Sequence, residues 1–215
     1  MVALKDNNPK DDARVKILKE AARLFAQGGF AATSTREIAK ATGLNVSLIS
    51  YYFGGKEGLY RAVIEDFATK VRTGMDSLID EINQNQNFTV VELEQFLGKL
   101  VDRFLSIHWD SPEIVRIMLR EKASGMPFAK EIHANVFDKV ASKVADIIRL
   151  AQGKGFVRKD LNPKLFLALF AESVNGFLAM QTIGIELDEE CRQFFADKEQ
   201  FKEQTLKIFL RGIIV

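Results

Sequence analysis

The chain has a single cysteine, Cys191, in 215 residues, which rules out an intrachain disulfide and a cysteine-based metal cluster. Cys191 also has no recognisable nucleophile context. There are two histidines, His108 and His133, and neither falls into an HExxH-like spacing. Each reads as a surface or partly buried polar residue, and no metal or cofactor is expected. No run of about 18 apolar residues occurs, so no segment reads as membrane-spanning. The first residues, MVALKDNNPKDDAR, are polar and lack the apolar core of a secretory signal, and a reducing cytoplasm is the expected location. There is no internal repeat, no low-complexity tract, and no stretch of adequate length that alternates with period two.

The apolar fraction of 47% and the charged fraction of 27% are those of an ordinary soluble globular protein. The length fits one large domain, or a small one fused to a larger one. A net charge of +1 does not by itself suggest nucleic-acid binding. Its distribution says more: residues 1–60 carry nine bases against six acids, a balance of +3 that leaves −2 for the remainder. This permits a DNA-binding N-terminus without demanding one.

Periodicity predicts helices nearly throughout. Ile17, Ala21 and Leu24, with Leu18 and Phe25, form one stripe over Asp12–Gln27, stopped by Gly28-Gly29. Ser34 and Glu37 have capping-box spacing and open a short helix through Thr42. Gly43 breaks it, Asn45 can cap the next (Val46–Phe53), and Gly54-Gly55 ends that one. A long helix over 57–82 carries Leu59, Val63, Phe67, Val71, Met75, Leu78 and Ile82. After the polar connector Asn83–Asn87 come helices at Val90–His108, Pro112–Ser124, Phe128–Gln152, Pro163–Ile185 and Glu199–Gly212, with a short one at Asp188–Phe195. Asn162-Pro163 is a cap followed by proline at the first helical position. The expected architecture is all-α. A helix-turn-helix head at 11–60 (motif about 34–53) is joined by the helix 57–82 to a helical body at 61–215.

The segment from Thr33 to Tyr60 is the most informative. A helix-turn-helix needs a small residue where its helices cross, a turn residue that tolerates positive φ, and an apolar anchor on the second helix. Ala39, Gly43 and Ile49 meet these needs at the right spacing, with Ile38 and Leu44 as further core. The competing reading is an arbitrary helical hairpin, yet helices this short rarely stand without a partner surface. Gly54-Gly55-Lys56-Glu57 superficially suggests a phosphate-binding P-loop. Position 50 is serine where glycine is required, Glu57 follows the lysine, and no strand precedes it, so that reading fails.

The stretch GFAATSTREIAKATGLNVSLISYYFGGKEGLY resembles the DNA-binding head of TetR-type transcriptional regulators, over about 45 residues (Val15 to Tyr60) with unbroken spacing. In that family a GF/GY-x-x-T-T/S segment leads to an I-A-x-x-x-G-V/L turn, followed by a recognition helix ending in Y/H-F and a K-E-x-L helix start. The chain departs at Asn45-Val46-Ser47-Leu48-Ile49-Ser50, where many members read S-x-G-T-L-Y. Ser50 there replaces a tyrosine that often touches phosphate. The resemblance implies phosphate contacts by Tyr52 and Lys56. Ser34 or Thr35 at a helix N-terminus, with Arg36 in the same turn, adds an anion site. Base contacts fall on Asn45, Val46, Ser47, Leu48 and Tyr51: Val46 or Leu48 can meet a thymine methyl and Asn45 can pair with adenine.

The same resemblance implies a homodimer whose C-terminal domain binds a small effector, and GFVRKDLNP (Gly155–Pro163) is similar to the connector before that family's dimerisation helix. Pro163–Ile185 is apolar around most of its circumference, and a helix apolar on two sides needs two partners. Ala168, Ala171, Gly176 and Ala179, with Phe201, Thr205, Ile208 and Gly212 of the last helix, are the expected two-fold interface; core packing within one subunit is the alternative. Phe104, Trp109, Met118, Phe137, Phe166 and Phe170, with Asn175 and Gln181 as polar anchors, are candidates for an apolar effector pocket, and each has an ordinary core role as its alternative. The reading that follows is a non-enzymatic, ligand-released, DNA-binding repressor acting on a palindromic operator. The alternative is a helical small-molecule-binding or enzymatic protein whose head makes protein contacts.

Overall fold

The computed structural model describes residues 9–85, 87–183, 186 and 188–214. Its elements are α1 (Pro9–Ala32), α2 (Thr35–Thr42), α3 (Ser47–Phe53), α4 (Lys56–Asn83), α5 (Val90–Asp110), α6 (Pro112–Ala123), α7 (Lys130–Ile132), a π-helical turn (His133–Phe137), α8 (Asp138–Lys154), α9 (Pro163–Ile183), α10 (Glu189–Ala196) and α11 (Lys198–Leu210). The fold is all-α; an isolated antiparallel bridge joins Val157 to Ile214. Residues 184 and 185, expected to close α9, lie outside the described residues, as does position 86 of the polar connector.

The helix ends follow local chemistry. Gly29 kinks α1 with φ 77, in the left-handed region that glycine enters without a Cβ penalty. Capping boxes open α2 (Ser34 with Glu37) and α5 (Thr89 with Glu92). The Asp188 side chain caps α10 and that of Asp197 caps α11. The Asn162 carboxamide oxygen accepts from the Lys164 and Leu165 amides at the start of α9. In α4 the buried stripe runs Val63, Ala68, Val71, Met75, Ile79 and Ile82. Ile79 takes the inward place that the spacing assigned to Leu78, which is half-buried.

The chain forms two compact units. One comprises residues 1–67 together with 113–132, the other residues 68–112 with 133–215. The first therefore contains more than the expected head. Its core joins Ile17, Ala21, Phe25, Ile38, Ala39, Ile49, Leu59, Tyr60 and Ile64 to Ile114, Ile117 and Ala129, with Met118, Met126 and Phe128 packed against them. Met118, expected in an effector pocket, thus belongs to the core of the first unit. In the second unit Val101, Leu105, Val174 and Phe201 form a core surrounded by Phe104, Trp109, Phe170, Phe177, Phe194 and Phe209.

Candidate nucleic-acid interface

The surface between α1 and α4 is built by short elements whose inner faces are fixed by the core. Ile38, Ala39 and Ile49 are buried. Gly43 terminates α2 at φ 68, and the Leu44 amide reaches back to the Ala39 carbonyl at 3.1 Å, a left-handed helix stop. The Thr42 hydroxyl donates to the same carbonyl at 3.0 Å and accepts from the Leu44 amide. Gly54, with φ 72, closes α3.

With Ile49 held inside, α3 presents its opposite face to solvent. Val46, Ser47, Ser50 and Tyr51 are exposed, Tyr51 by 72%. Leu48, expected among the base contacts, is half-buried and packs on the core, as does Tyr52. Leu48 therefore offers less surface to a base than its neighbours do. Asn45 is exposed, and its carboxamide oxygen accepts from the Ser47 amide at 2.9 Å and hydroxyl at 2.8 Å. The N-cap residue of α3 is Val46, which has no side-chain cap, so Asn45 is not the expected cap; its oxygen is engaged by Ser47, which leaves the NH₂ group as the donor suited to a base acceptor.

The phosphate candidates gather at the start of α2. The Ser34 hydroxyl accepts from the Glu37 amide at 3.2 Å, and the Glu37 carboxylate accepts from the Ser34 amide at 2.7 Å. The second bond occupies the Ser34 N–H expected to serve an anion. What remains outward is the Ser34 hydroxyl hydrogen and the first-turn amides of Thr35 and Arg36, which no side chain caps among the described residues. The amide bond from Ser34 holds the Glu37 carboxyl below its usual range, with the Ser34 hydroxyl and the charge of Lys56 assisting. The box thus carries a negative charge that Arg36 and Lys56 must offset when a phosphate approaches.

Lys56, at the first residue of α4, lies 3.1 Å from the Ala31 carbonyl and 4.6 Å above the Phe30 ring. The carbonyl bond and the cation–π contact aim a flexible ammonium at one place, beside the α2 N-terminus. Arg14 lies over the Phe53 ring at 5.5 Å, which ties α1 to the end of α3.

Four residues of this unit have roles not assigned from the sequence. The buried Thr33 donates its hydroxyl to the Gly29 carbonyl at 2.9 Å and the Leu24 carbonyl at 3.2 Å. Arg120 of α6 donates to the carbonyls of Phe25, Ala26 and Gln27. Glu121, 3% exposed, accepts from the Tyr60 hydroxyl and from the Phe128 and Ala129 amides. Burial raises the Tyr60 phenol well above its usual range, and the Glu121 charge adds to this. Gly58 is the fourth: a Cβ there would lie 1.8 Å from the Phe53 carbonyl oxygen.

The remaining expected sites lie in the second unit. Phe104, Phe170, Phe166 and Phe209 form a chain of ring contacts, and Trp109 meets Phe201 at 6.2 Å. Asn175 bonds the His108 ring at 2.5 Å, while the other ring nitrogen lies 2.8 Å from the Phe104 carbonyl. Phe137 lies in the π-helical turn, 5.4 Å from the His133 ring. The Gln181 side chain lies outside the described residues. Among the expected interface residues, Ala168, Gly176, Ile208 and Gly212 are exposed and Ala171 is half-exposed. Ala179, Phe201 and Thr205 are instead buried inside the protomer. Phe201 packs on Val101, Leu105 and Val174, and the Thr205 hydroxyl donates to the Phe201 carbonyl. The face left open on α9 and α11 carries Leu165, Leu169 and Ile208, exposed by 58%, 57% and 69%.

A buried anchor, a left-handed glycine stop and an exposed second helix define a helix-turn-helix DNA-binding protein. A family model for "Bacterial regulatory proteins, tetR family" matches residues 17–63. The "Probable HTH-type transcriptional regulator YttP" of Bacillus subtilis is 34% identical over 204 residues, 95% of each chain. The "HTH-type transcriptional repressor NicS" of Pseudomonas putida is 28% identical over 153 residues, 70% of this chain and 68% of its own. In fold, the ketosteroid transcriptional regulator KstR2 of Mycobacterium tuberculosis superposes with a TM-score of 0.70 at 20% identity, covering 100% of both chains. The chain belongs to the tetR family of bacterial regulatory proteins. It is a transcriptional regulator with a DNA-binding helix-turn-helix and not an enzyme, so the alternative of an enzymatic helical protein falls away.

Proposed function

We propose that this regulator is a ligand-released repressor that binds a palindromic operator as a homodimer in the cytoplasm. The observation that carries the reading is the outward face at α3, where Val46, Ser47 and Tyr51 stand exposed beside an exposed Asn45 whose oxygen is engaged by Ser47. That set suits direct readout in a major groove: a methyl contact from Val46, donors on Asn45 and Tyr51, and an acceptor on the Ser47 hydroxyl, whose hydrogen goes to Asn45. Ser34, Thr35, Arg36, Tyr52 and Lys56 serve the phosphates, which position the helix without reading sequence. Among the described residues no helix is long and apolar enough to cross a membrane.

A palindrome follows from two-fold symmetry, and the exposed stripe of Leu165, Ala168, Leu169, Gly176 and Ile208 is the surface we assign to the second copy. Gly176 has open space around it, which suits a close helix approach. The effector is a small apolar or aromatic molecule held among Phe104, Trp109, Phe166 and Phe170, with Asn175 as polar anchor. It needs to favour the DNA-incompetent form by only a few kcal/mol to empty the operator. NicS, a relative, is named a repressor, which supports repression over activation.

Selection of genomic fragments with and without lipophilic ligands tests the reading directly. Recovery of two-fold-symmetric sites that are lost on ligand addition is the expected result. Sites that appear only with ligand would reverse the repressor assignment. Lys56→Ala should weaken binding to every duplex and reduce the salt slope by about one; an unchanged slope would remove Lys56 from the phosphate set. Leu169→Glu should sediment as a monomer at concentrations where the parent protein is a dimer. A dimeric variant would show that the interface lies elsewhere.

A further inference from the structure

The last carbonyls of a helix have no partner within it and must be satisfied from outside. In α1, which breaks at Gly29, that demand falls just before the elbow that leads into α2. Thr33 takes the Leu24 and Gly29 carbonyls. The Phe25, Ala26 and Gln27 carbonyls are taken by one residue about 95 positions away. Arg120 Nη1 lies 2.9 Å from Phe25 O and 2.6 Å from Ala26 O, and Nη2 lies 3.1 Å from Gln27 O. A planar guanidinium can serve three successive carbonyls, and its charge suits the negative end of the helix dipole.

The residue after Arg120 fixes the same helix from the other side. The buried Glu121 accepts from the Tyr60 hydroxyl at 3.1 Å and from the Phe128 and Ala129 amides at 3.0 Å each. Tyr60 packs edge-on against Phe25 at 4.9 Å and Phe30 at 5.1 Å. Glu121 thus ties α6 to α4, and Arg120 ties α6 to α1. Both lie outside residues 17–63, the span of the family match. The elbow they close ends at Thr33, and the next residue, Ser34, is the N-cap of the first helix of the helix-turn-helix.

We infer that Arg120, on a helix anchored by Glu121, is a positioning residue for operator recognition: it fixes the α1–α2 elbow and so the placement of the recognition helix, without touching DNA. The inference rests on the DNA-binding reading of α2 and α3. Its test uses the full-length protein, one operator duplex recovered from the genomic selection, and a random-sequence duplex of equal length. Arg120→Ala, at an exposed side chain, should lower operator affinity about tenfold. Random-duplex affinity, the salt slope and the melting temperature should stay near those of the parent protein. Glu121→Gln should retain operator affinity, because its amide oxygen can accept from the two backbone amides while its NH₂ donates to the Tyr60 oxygen. Glu121→Ala should lose operator over random-duplex preference as Arg120→Ala does, but with a lower melting temperature, because it leaves the Tyr60 hydroxyl and the Phe128 and Ala129 amides without their acceptor.

Three results would overturn the inference. Operator affinity within about twofold of the parent in Arg120→Ala would show that the elbow needs no such clamp. A salt slope reduced by about one would make Arg120 a direct phosphate contact instead. Equal losses on operator and random duplex, together with a lower melting temperature, would reduce it to ordinary stability. A parent protein that prefers no selected duplex over the random one would sink the DNA-binding reading itself, and the inference with it.

Discussion

At Gly58 a single methyl group decides whether the start of α4 can form. A Cβ would sit 1.8 Å from the Phe53 carbonyl oxygen, and that atom is backbone, held by a turn in which Gly54 and Gly55 have φ values of 72 and 121. Relief would require the turn to open, which would shift the end of α3 against Lys56. Gly58→Ala should therefore destabilise the protein by about 1–3 kcal/mol, although alanine is the better helix former by about 1 kcal/mol. Urea unfolding with an unchanged m-value is the check, and a neutral or stabilising result would show that the turn yields freely. In sequence Gly58 looks like a minor propensity defect in a helix. Only the return of the chain at Gly54-Gly55 makes its hydrogen indispensable.

Helix α2 depends on a charge placed at its first turn. The Ser34 amide lowers the Glu37 carboxyl below its ordinary value of 4.5, with smaller help from the Ser34 hydroxyl and Lys56. A carboxylate with a depressed folded-state value stabilises the fold above its unfolded value, and that support is lost as pH falls through the lowered one. Glu37→Ala should therefore lower the melting temperature at neutral pH, and the gap should narrow as pH falls below 4.5. A gap that stays constant across that range would assign the effect to helix propensity alone. Such local devices are why much of the fold was legible: caps, glycine stops and the 3.6-residue period all act within a few residues. The faces of α9 and α11 were not legible in the same way. Helix α9 is apolar around most of its circumference, and α11 carries apolar residues on more than one face; packing against Val101 and Leu105 of α5 decides which side of each turns inward. That choice took Ala179, Phe201 and Thr205 into the protomer and left Leu165 and Leu169, absent from the expected interface set, in solvent.

On the scale of the molecule, the unit that carries the helix-turn-helix is discontinuous. It takes residues 113–132 from the middle of the chain, and no periodicity could announce this because the contacts span 61 to 95 positions: Tyr60 to Glu121, and Phe25 to Arg120. The segment brings apolar area and polar partners together. Ile114, Ile117 and Ala129 are buried in the same core as Phe25 and Ile38. Arg61 donates to the Phe128 carbonyl and lies 5.3 Å from its ring. Elements that share a core open together, because exposing one strips the others of their partners. Native-state hydrogen exchange at increasing denaturant should therefore place the amides of Ile117 and Ala129 in one cooperative group with those of Ile38, Ile49 and Ile64. If they exchanged instead with their chain neighbours in α5 and α8, the segment would be an accessory to the head rather than part of it. The DNA-binding unit would then end near Phe67, and α6 would have no structural claim on the helix-turn-helix.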